Sequence, residues 1–232
     1  MRNRGNSPEE EAPEGVSSSN PFGFTGKASV NLTISAKQFI LSGFQELLQS
    51  GLVLICTIGV SIRSLLCDQF GLNPQYVEDR ISTVFLDGKP VDDIDATTVA
   101  GGATVALSGA MPGLVGATLR RKSPLASFRQ TISSPSAPQE ESKAPGAVLI
   151  KVFNILMDEL GPLFLGRGVF LPTETLKSFL EKQTSEFWEG CERILIDDKP
   201  VYVHFPREKV LAAVETRHGW VHLVVHEEPS PV

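Results

Sequence analysis

The amino-acid sequence predicts an α+β protein made of two copies of one strand-and-helix unit, and three observations carry that reading. Ser29-Val30-Asn31-Leu32-Thr33-Ile34 and Ala147-Val148-Leu149-Ile150-Lys151-Val152 open two segments with the same order of landmarks. Both segments run to a near-identical turn, Val84-Phe85-Leu86-Asp87-Gly88-Lys89-Pro90-Val91 in the first and Ile194-Leu195-Ile196-Asp197-Asp198-Lys199-Pro200-Val201 in the second. Within each, period-two apolar alternation exchanges with apolar stripes at helical spacing, so strands and helices are interleaved.

In the first unit Val30, Leu32 and Ile34 alternate with Asn31 and Thr33, the pattern of a half-buried strand. Ala36 to Gln49 places Phe39, Ile40, Phe44, Leu47 and Leu48 at mostly helical spacing and predicts a short helix. Leu52 to Cys56 reads as a second strand, and Ile62, Leu65, Leu66 and Phe70 form the stripe of an amphipathic helix that Gly71 stops. Ile81 to Leu86 is a third strand. Asp87-Gly88 is a two-residue hairpin signal, because both central positions of a type I′ turn need positive φ. Pro90 removes a backbone donor, so the strand after the turn belongs at a sheet edge. Gly101-Gly102 reads as a turn, and Thr104 to Ser108 closes the unit with Val105 and Leu107 on one side.

The second unit repeats the order. Val148, Ile150 and Val152 make its first strand, Ile155 to Leu160 a short helix, and Gly168 to Leu171 the second strand. Thr173 is placed to cap a helix with Leu176, Phe179 and Leu180 on one face. Ile194 to Ile196 and Val221 to Val225 are the later strands. The expected division is a disordered tail at 1–26, one domain at 27–110, a Gly-rich, apolar and basic arm at 111–131, a flexible linker at 132–146, a second domain at 147–228 and a tail at 229–232.

The chain has 232 residues, 41% of them hydrophobic, enough for two modest cores. Its 21 Lys and Arg against 27 Asp and Glu give a net charge of −6, which speaks against a general nucleic-acid binder. No run reaches the roughly twenty apolar residues of a spanning helix, and the opening residues lack an apolar leader, so a cytoplasmic protein with no transmembrane segment is expected. Cys56, Cys67 and Cys191 form no CxxC pair and read as free thiols in a reducing compartment.

The element order, with a short helix between the first two strands, resembles the ubiquitin-like β-grasp, in particular the sulfur-carrier branch with the molybdopterin synthase small subunit and the thiamine sulfur carrier. The stretches that carry the resemblance are Val148 to Phe153, Asp158 to Gly161, Thr173 to Leu180 and the two Lys-Pro-Val hairpins. It implies two tandem β-grasp domains, each a mixed sheet on one main helix, joined by a flexible linker. It also implies a family chemistry that runs through a free C-terminal Gly-Gly carboxylate. This chain ends Glu227-Glu228-Pro229-Ser230-Pro231-Val232, which departs from that pattern. The scaffold is therefore expected to serve binding rather than sulfur carriage.

Two surfaces are candidates for a protein partner. On the last strand Trp220, His222, Val224 and His226 share one face and Val221, Leu223 and Val225 the other. The Trp and His face could meet solvent, a partner or, with His204 added, a metal ion. The second surface is the arm, where Met111, Gly113 and Gly116 precede Arg120, Arg121, Lys122 and Arg129; it could dock an anion or an acidic partner. Its alternative is a segment that packs Leu114, Val115 and Leu119 on its own domain while its charges stay solvated. Asp92, Asp93 and Asp95 read as a solvated turn. No catalytic triad, paired carboxylate or zinc-ligand spacing is present, so neither catalytic residue nor cofactor is expected. The leading expectation is a non-enzymatic binding or adaptor protein. Its alternatives are a carrier or modifier released by cleavage after Gly113 or Gly116, and a small-ligand or metal-binding module. The oligomeric state is open at this point.

Overall fold

The computed structural model describes residues 22–24, 26–37, 40, 42–125, 142–201 and 206–227. The first repeat supplies β1 (Val30–Ala36), α1 (Gln45–Ser50), β2 (Leu52–Ile58), the short β3 (Val60–Ser61) and α2 (Ile62–Ser64), which continues as a π-helical turn (Leu65–Gln69). It goes on with α3 (Pro74–Asp79), β4 (Thr83–Leu86), β5 (Lys89–Val91), β6 (Thr98–Val99), β7 (Thr104–Ser108) and α4 (Gly113–Leu119). The second supplies β8 (Ala144–Phe153), α5 (Leu156–Arg167), β9 (Val169–Pro172), α6 (Thr173–Glu181) and α7 (Ser185–Glu189). Then come β10 (Cys191–Ile196), β11 (Lys199–Pro200), α8 (Pro206–Glu215) and β12 (Trp220–Glu227).

The fold is α+β with one large mixed sheet. Its strand order is β11-β10-β1-β12-β9-β2-β8-β7-β4-β5, and β3 and β6 pair separately. One half of the sheet, half A, is β2-β8-β7-β4-β5, and half B is β9-β12-β1-β10-β11. A central parallel pair runs through each, β8 with β7 and β12 with β1, flanked by antiparallel neighbours. Each half is built from one repeat except for a strand from the other: β8, which opens the second repeat, lies in half A, and β1, which opens the first, lies in half B.

The hairpin turns show how the halves correspond. Asp87 and Gly88 have φ of 49° and 78°, and Asp197 and Asp198 have φ of 48° and 61°, the left-handed pair that Asp-Gly predicts. In half A the Asp87 N–H donates to the Thr104 carbonyl (2.9 Å) and the Thr104 N–H donates to Asp87 Oδ1 (2.7 Å). In half B the Asp197 N–H donates to the Asn31 carbonyl (2.9 Å) and the Asn31 N–H donates to Asp197 Oδ1 (3.0 Å). The same two-bond clasp therefore holds β7 in half A and β1 in half B. β5 and β11 lie at the two ends of the sheet, where Pro90 and Pro200 cost no ladder bond.

The sheet differs from the expected pair of separate sheets, because the opening strands pair across the repeats. The linker expected over 132–146 overlaps β8, which starts at Ala144. Pro145 and Gly146 look like turn residues in isolation, yet Gly146 lies where an added Cβ would press on the Ile58 side chain, so its bareness permits strand packing. The helix expected over 155–160 runs to Arg167, carrying Pro162 inside it. Thr173 is the first residue of α6 rather than its cap, and its hydroxyl donates to the Gly219 carbonyl at 3.3 Å.

The apolar stripes behave as their spacing predicts. Val30, Leu32 and Ile34 of β1, Val221, Leu223 and Val225 of β12, and Ile62, Leu65 and Leu66 are all buried in one core with Phe164, Leu176, Phe179 and Leu180. The helical layer is locked by Phe70 edge-on to Phe164, with centroids 5.6 Å apart.

Candidate functional site

Sequence reasoning put one candidate surface on the outer face of β12, and this face lies at the seam between the halves. β9 and β2 meet there through the single pair Phe170 and Val53. Phe24 covers the seam: it is 2% exposed, with its ring 4.7 Å from Phe170 and 4.9 Å from Trp220. His222 stacks on Phe170 at 4.7 Å, and the Trp220 indole N–H donates to the Gly23 carbonyl at 3.3 Å. Gly168, at φ +90°, leaves space for the His222 imidazole where a Cβ would collide with it. Trp220 and His222 are thus engaged by the chain itself.

The tail expected over 1–26 accordingly ends earlier than composition predicts, since Phe22 and Phe24 pack on Val53, Ala147 and Trp220. Their apolar side chains were the available signal in Pro21-Phe22-Gly23-Phe24, a segment otherwise made of turn formers. His226, one residue before the end of β12, is exposed, and His204 lies outside the described residues. Among the described residues no group of three His, Cys, Asp or Glu side chains is arranged to hold a metal ion.

The arm is the second candidate. After β7 the chain turns at Met111-Pro112 into α4, a seven-residue helix. Gly113 opens it at φ +80°, and Gly116 is buried where any Cβ would strike the Met111 carbonyl, so these two glycines shape the turn. The expectation that Leu114, Val115 and Leu119 pack inward while the charges stay solvated fails for Leu114, Val115 and Arg121, whereas Leu119 is half-buried and Arg120 and Lys122 are exposed. Leu114 is 73% and Val115 71% exposed, whereas Arg121 is only 7% exposed. The Arg121 guanidinium donates from Nε (3.1 Å) and Nη2 (2.8 Å) to the Ile81 carbonyl and from Nη2 to Val77 (2.9 Å), while its backbone N–H donates to Ser82 (2.8 Å). It caps α3 from below, satisfying carbonyls that a helix end leaves open. Burial lowers its pKa, and Nη1 has no partner. Arg120 is exposed beside it. In Leu119-Arg120-Arg121-Lys122 nothing local tells which cation turns inward.

Next to this anchor is a cleft of about 330 Å³ lined by Arg63, Arg121, Lys122 and the acidic run Asp92, Asp93 and Asp95. The charges pair among themselves. Arg63 bonds Glu78 and Asp95, Lys122 reaches Glu78 at 3.3 Å, and Asp93 Oδ1 accepts from the Asp95 and Ala96 N–H groups at 2.9 and 3.0 Å. The Arg63 hydrogen bond holds the Glu78 carboxyl below its ordinary value. A similar cluster joins α3 to α5, where Tyr76 Oη donates to Glu159 (2.6 Å) and Arg80 pairs with the same carboxylate, lowering its pKa. Burial raises the Cys56 and Cys191 thiols to about 12, so neither is poised for thiolate chemistry.

The exposed large hydrophobic side chains among the described residues lie at or after the paired ends of β7 and β8. Besides Leu114 and Val115 they are Phe153 and Ile155, 36% and 55% exposed. Phe153 pairs with Ser108 in the ladder. The intervening Asn154, at φ +52°, accepts from the Gly109 N–H (3.0 Å) and donates to Ser108 Oγ (2.8 Å), fixing the β8–α5 turn against the start of the arm. No helix among the described residues is long and apolar enough to cross a membrane. No protein-family model matches the chain, and no curated protein and no solved structure matches it.

Proposed function

We propose that this chain is a non-enzymatic binding module on a duplicated β-grasp-like scaffold, with its protein-docking face formed by α4 and the β8–α5 turn. The observation that carries the reading is that the exposed large hydrophobic side chains among the described residues, Leu114, Val115, Phe153 and Ile155, all lie at or after the paired ends of β7 and β8. Exposed apolar side chains gathered in one place mark interaction sites more often than singly scattered ones do. Half A also supports the scaffold reading, with a hairpin, a central parallel pair and an edge strand in a mixed sheet. The face is held firmly for docking: Arg121 anchors the end of α4, and Asn154 ties the other turn to Gly109.

The Trp220 and His222 face is a weaker candidate, because Phe24 already occupies it. The test compares native mass spectra of the parent chain, L114D/V115D and H226A, each isolated from its own host at endogenous level. A stoichiometric protein partner on the parent and H226A, absent from L114D/V115D with the melting temperature preserved, is the expected result. A partner that stays bound to L114D/V115D, or a parent chain that carries none, overturns the assignment.

A further inference from the structure

We infer that the two repeats form one cooperative body that stays assembled when the backbone is cut between β7 and β8, so that neither repeat can leave as a free carrier or modifier. This inference is independent of the docking face. It rests on which strand lies where. In half A, β8 separates β2 from β7 and pairs with both, through seven residues on one side and five on the other. In half B, β1 separates β12 from β10, in parallel register from Val30 with Val221 to Ala36 with Glu227. Each imported strand is thus an interior strand of the other repeat's sheet.

Interior strands are bonded along both edges and buried on at least one face. β1 buries Val30, Leu32, Ile34 and Ala36, and β8 buries Val148, Ile150 and Val152. Drawing the repeats apart therefore needs both strands to be withdrawn at once, which opens both ladders and uncovers all seven side chains. A backbone cut removes only the covalent connection and leaves every one of these pairings in place. Cleavage after Gly113 or Gly116 would expose a glycine carboxylate, yet its fragment would still hold β8 within it and β1 in the other half. Polar bridges across the repeats add to the hold, among them Asn31 to Asp197, Gln45 to Asp158 at 2.7 Å and Lys182 to Glu46 at 2.6 Å.

The test inserts a specific protease site between Pro135 and Ser136 of the full chain and cuts the folded protein. The two fragments are expected to co-elute at the volume of the uncut 25.1 kDa chain and to give one native mass equal to their sum. Separated in urea and refolded alone, neither fragment is expected to melt cooperatively, and mixing them in equal amounts restores the transition. Fragments that part on cutting, or a fragment that melts cooperatively by itself, overturn the inference. A second variant, T33C/L195C, tests the pairing directly, since these residues face each other in the β1–β10 ladder. Oxidation is expected to give a 33–195 disulfide found by peptide mapping. Its absence from a double variant that melts like the parent overturns the exchange.

Discussion

Half A and half B reach one geometry from different parts of the chain. Both have a hairpin strand, a parallel central pair, an antiparallel neighbour and an edge strand opening with Lys-Pro. In half A the imported strand β8 stands beside β2, and the repeat's own β7 is held by Asp87. In half B the imported strand β1 takes the place of β7, is held by Asp197, and the repeat's own β12 stands beside β9. A sheet position accepts any strand with the right alternation and direction, so the repeat in sequence does not dictate which strand fills it. The turn aspartate is the discriminating device, since it clasps whichever strand lies beside it.

The largest effect should come from removing the imported strand of half B. A chain starting at Lys37 lacks β1, and near-UV circular dichroism is expected to lose its signal together with the cooperative melt. Hydrogen exchange that leaves half A as protected as in the parent would break the coupling of the halves. Next is Arg121, a buried cap on α3, whereas in half B the cap on α6 is the exposed Arg207, whose Nη2 donates to the Glu181 carbonyl at 3.0 Å. Arg121→Ala leaves the Val77 and Ile81 carbonyls without their buried cation and should cost about 3 kcal/mol. For a chain of this length that is a fall in Tm of about 6–12 °C by calorimetry.

The two clasps allow a finer comparison. Asp87→Ala and Asp197→Ala should each cost about 1–2 kcal/mol in urea titrations, because each strips a charge-assisted acceptor from a strand N–H. Asp197→Ala should be the costlier, since Asp197 Oδ2 also accepts from Arg217 at 2.6 Å and the same guanidinium reaches the Ser29 carbonyl at 2.7 Å. Equal costs would mean that Arg217 contributes nothing to holding β1. The turns themselves predict a gain: Asp198 at φ 61° stands where half A has Gly88, so Asp198→Gly should stabilise by about 0.5 kcal/mol after its larger unfolded-state entropy is counted.

The smallest effect separates the halves by pH. Hydrogen bonds from Arg63 and Arg80 lower the Glu78 and Glu159 pKa values from the ordinary 4.5. Groups lowered in the folded state stabilise fully above their unfolded pKa, and that contribution fades as pH falls through 4.5 and the folded values beneath it. Both carboxylates serve α3, whereas α6 is tied by one such carboxylate among the described residues, the exposed Glu215, whose pKa the Lys177 hydrogen bond lowers. Hydrogen exchange at pH 3.5 should therefore release α3 of half A ahead of α6 of half B. Simultaneous release would show that these pairs do not set the order.

Much of the local structure was legible in the sequence. The alternation in Val30 to Ile34 and Val221 to Val225 predicted strands and their buried faces, and the Ile62 to Phe70 stripe predicted a buried helical face. Asp87-Gly88 predicted its turn, and Pro90 predicted an edge. These are short-range properties, decided by side-chain period and backbone sterics within about ten residues. The candidate surfaces were less legible. Trp220 and His222 were placed on the outer face of a strand, as found, but Phe24 reaches them from almost two hundred residues away, and Arg121 is singled out from Arg120 only by where α4 ends.

What the sequence by itself determined is therefore the principal strands, the main helices, their order and the faces they bury, because periodicity and turn chemistry act locally. The short helices α3, α4 and α7 and the helix α8 were not predicted. Only the tertiary structure decided that β1 and β8 trade halves, that Phe24 seals the seam and that Arg121 turns inward. Those outcomes depend on the total burial and hydrogen bonding of competing long-range pairings. Two strands with the same alternation are equivalent partners until the whole sheet is assembled around them.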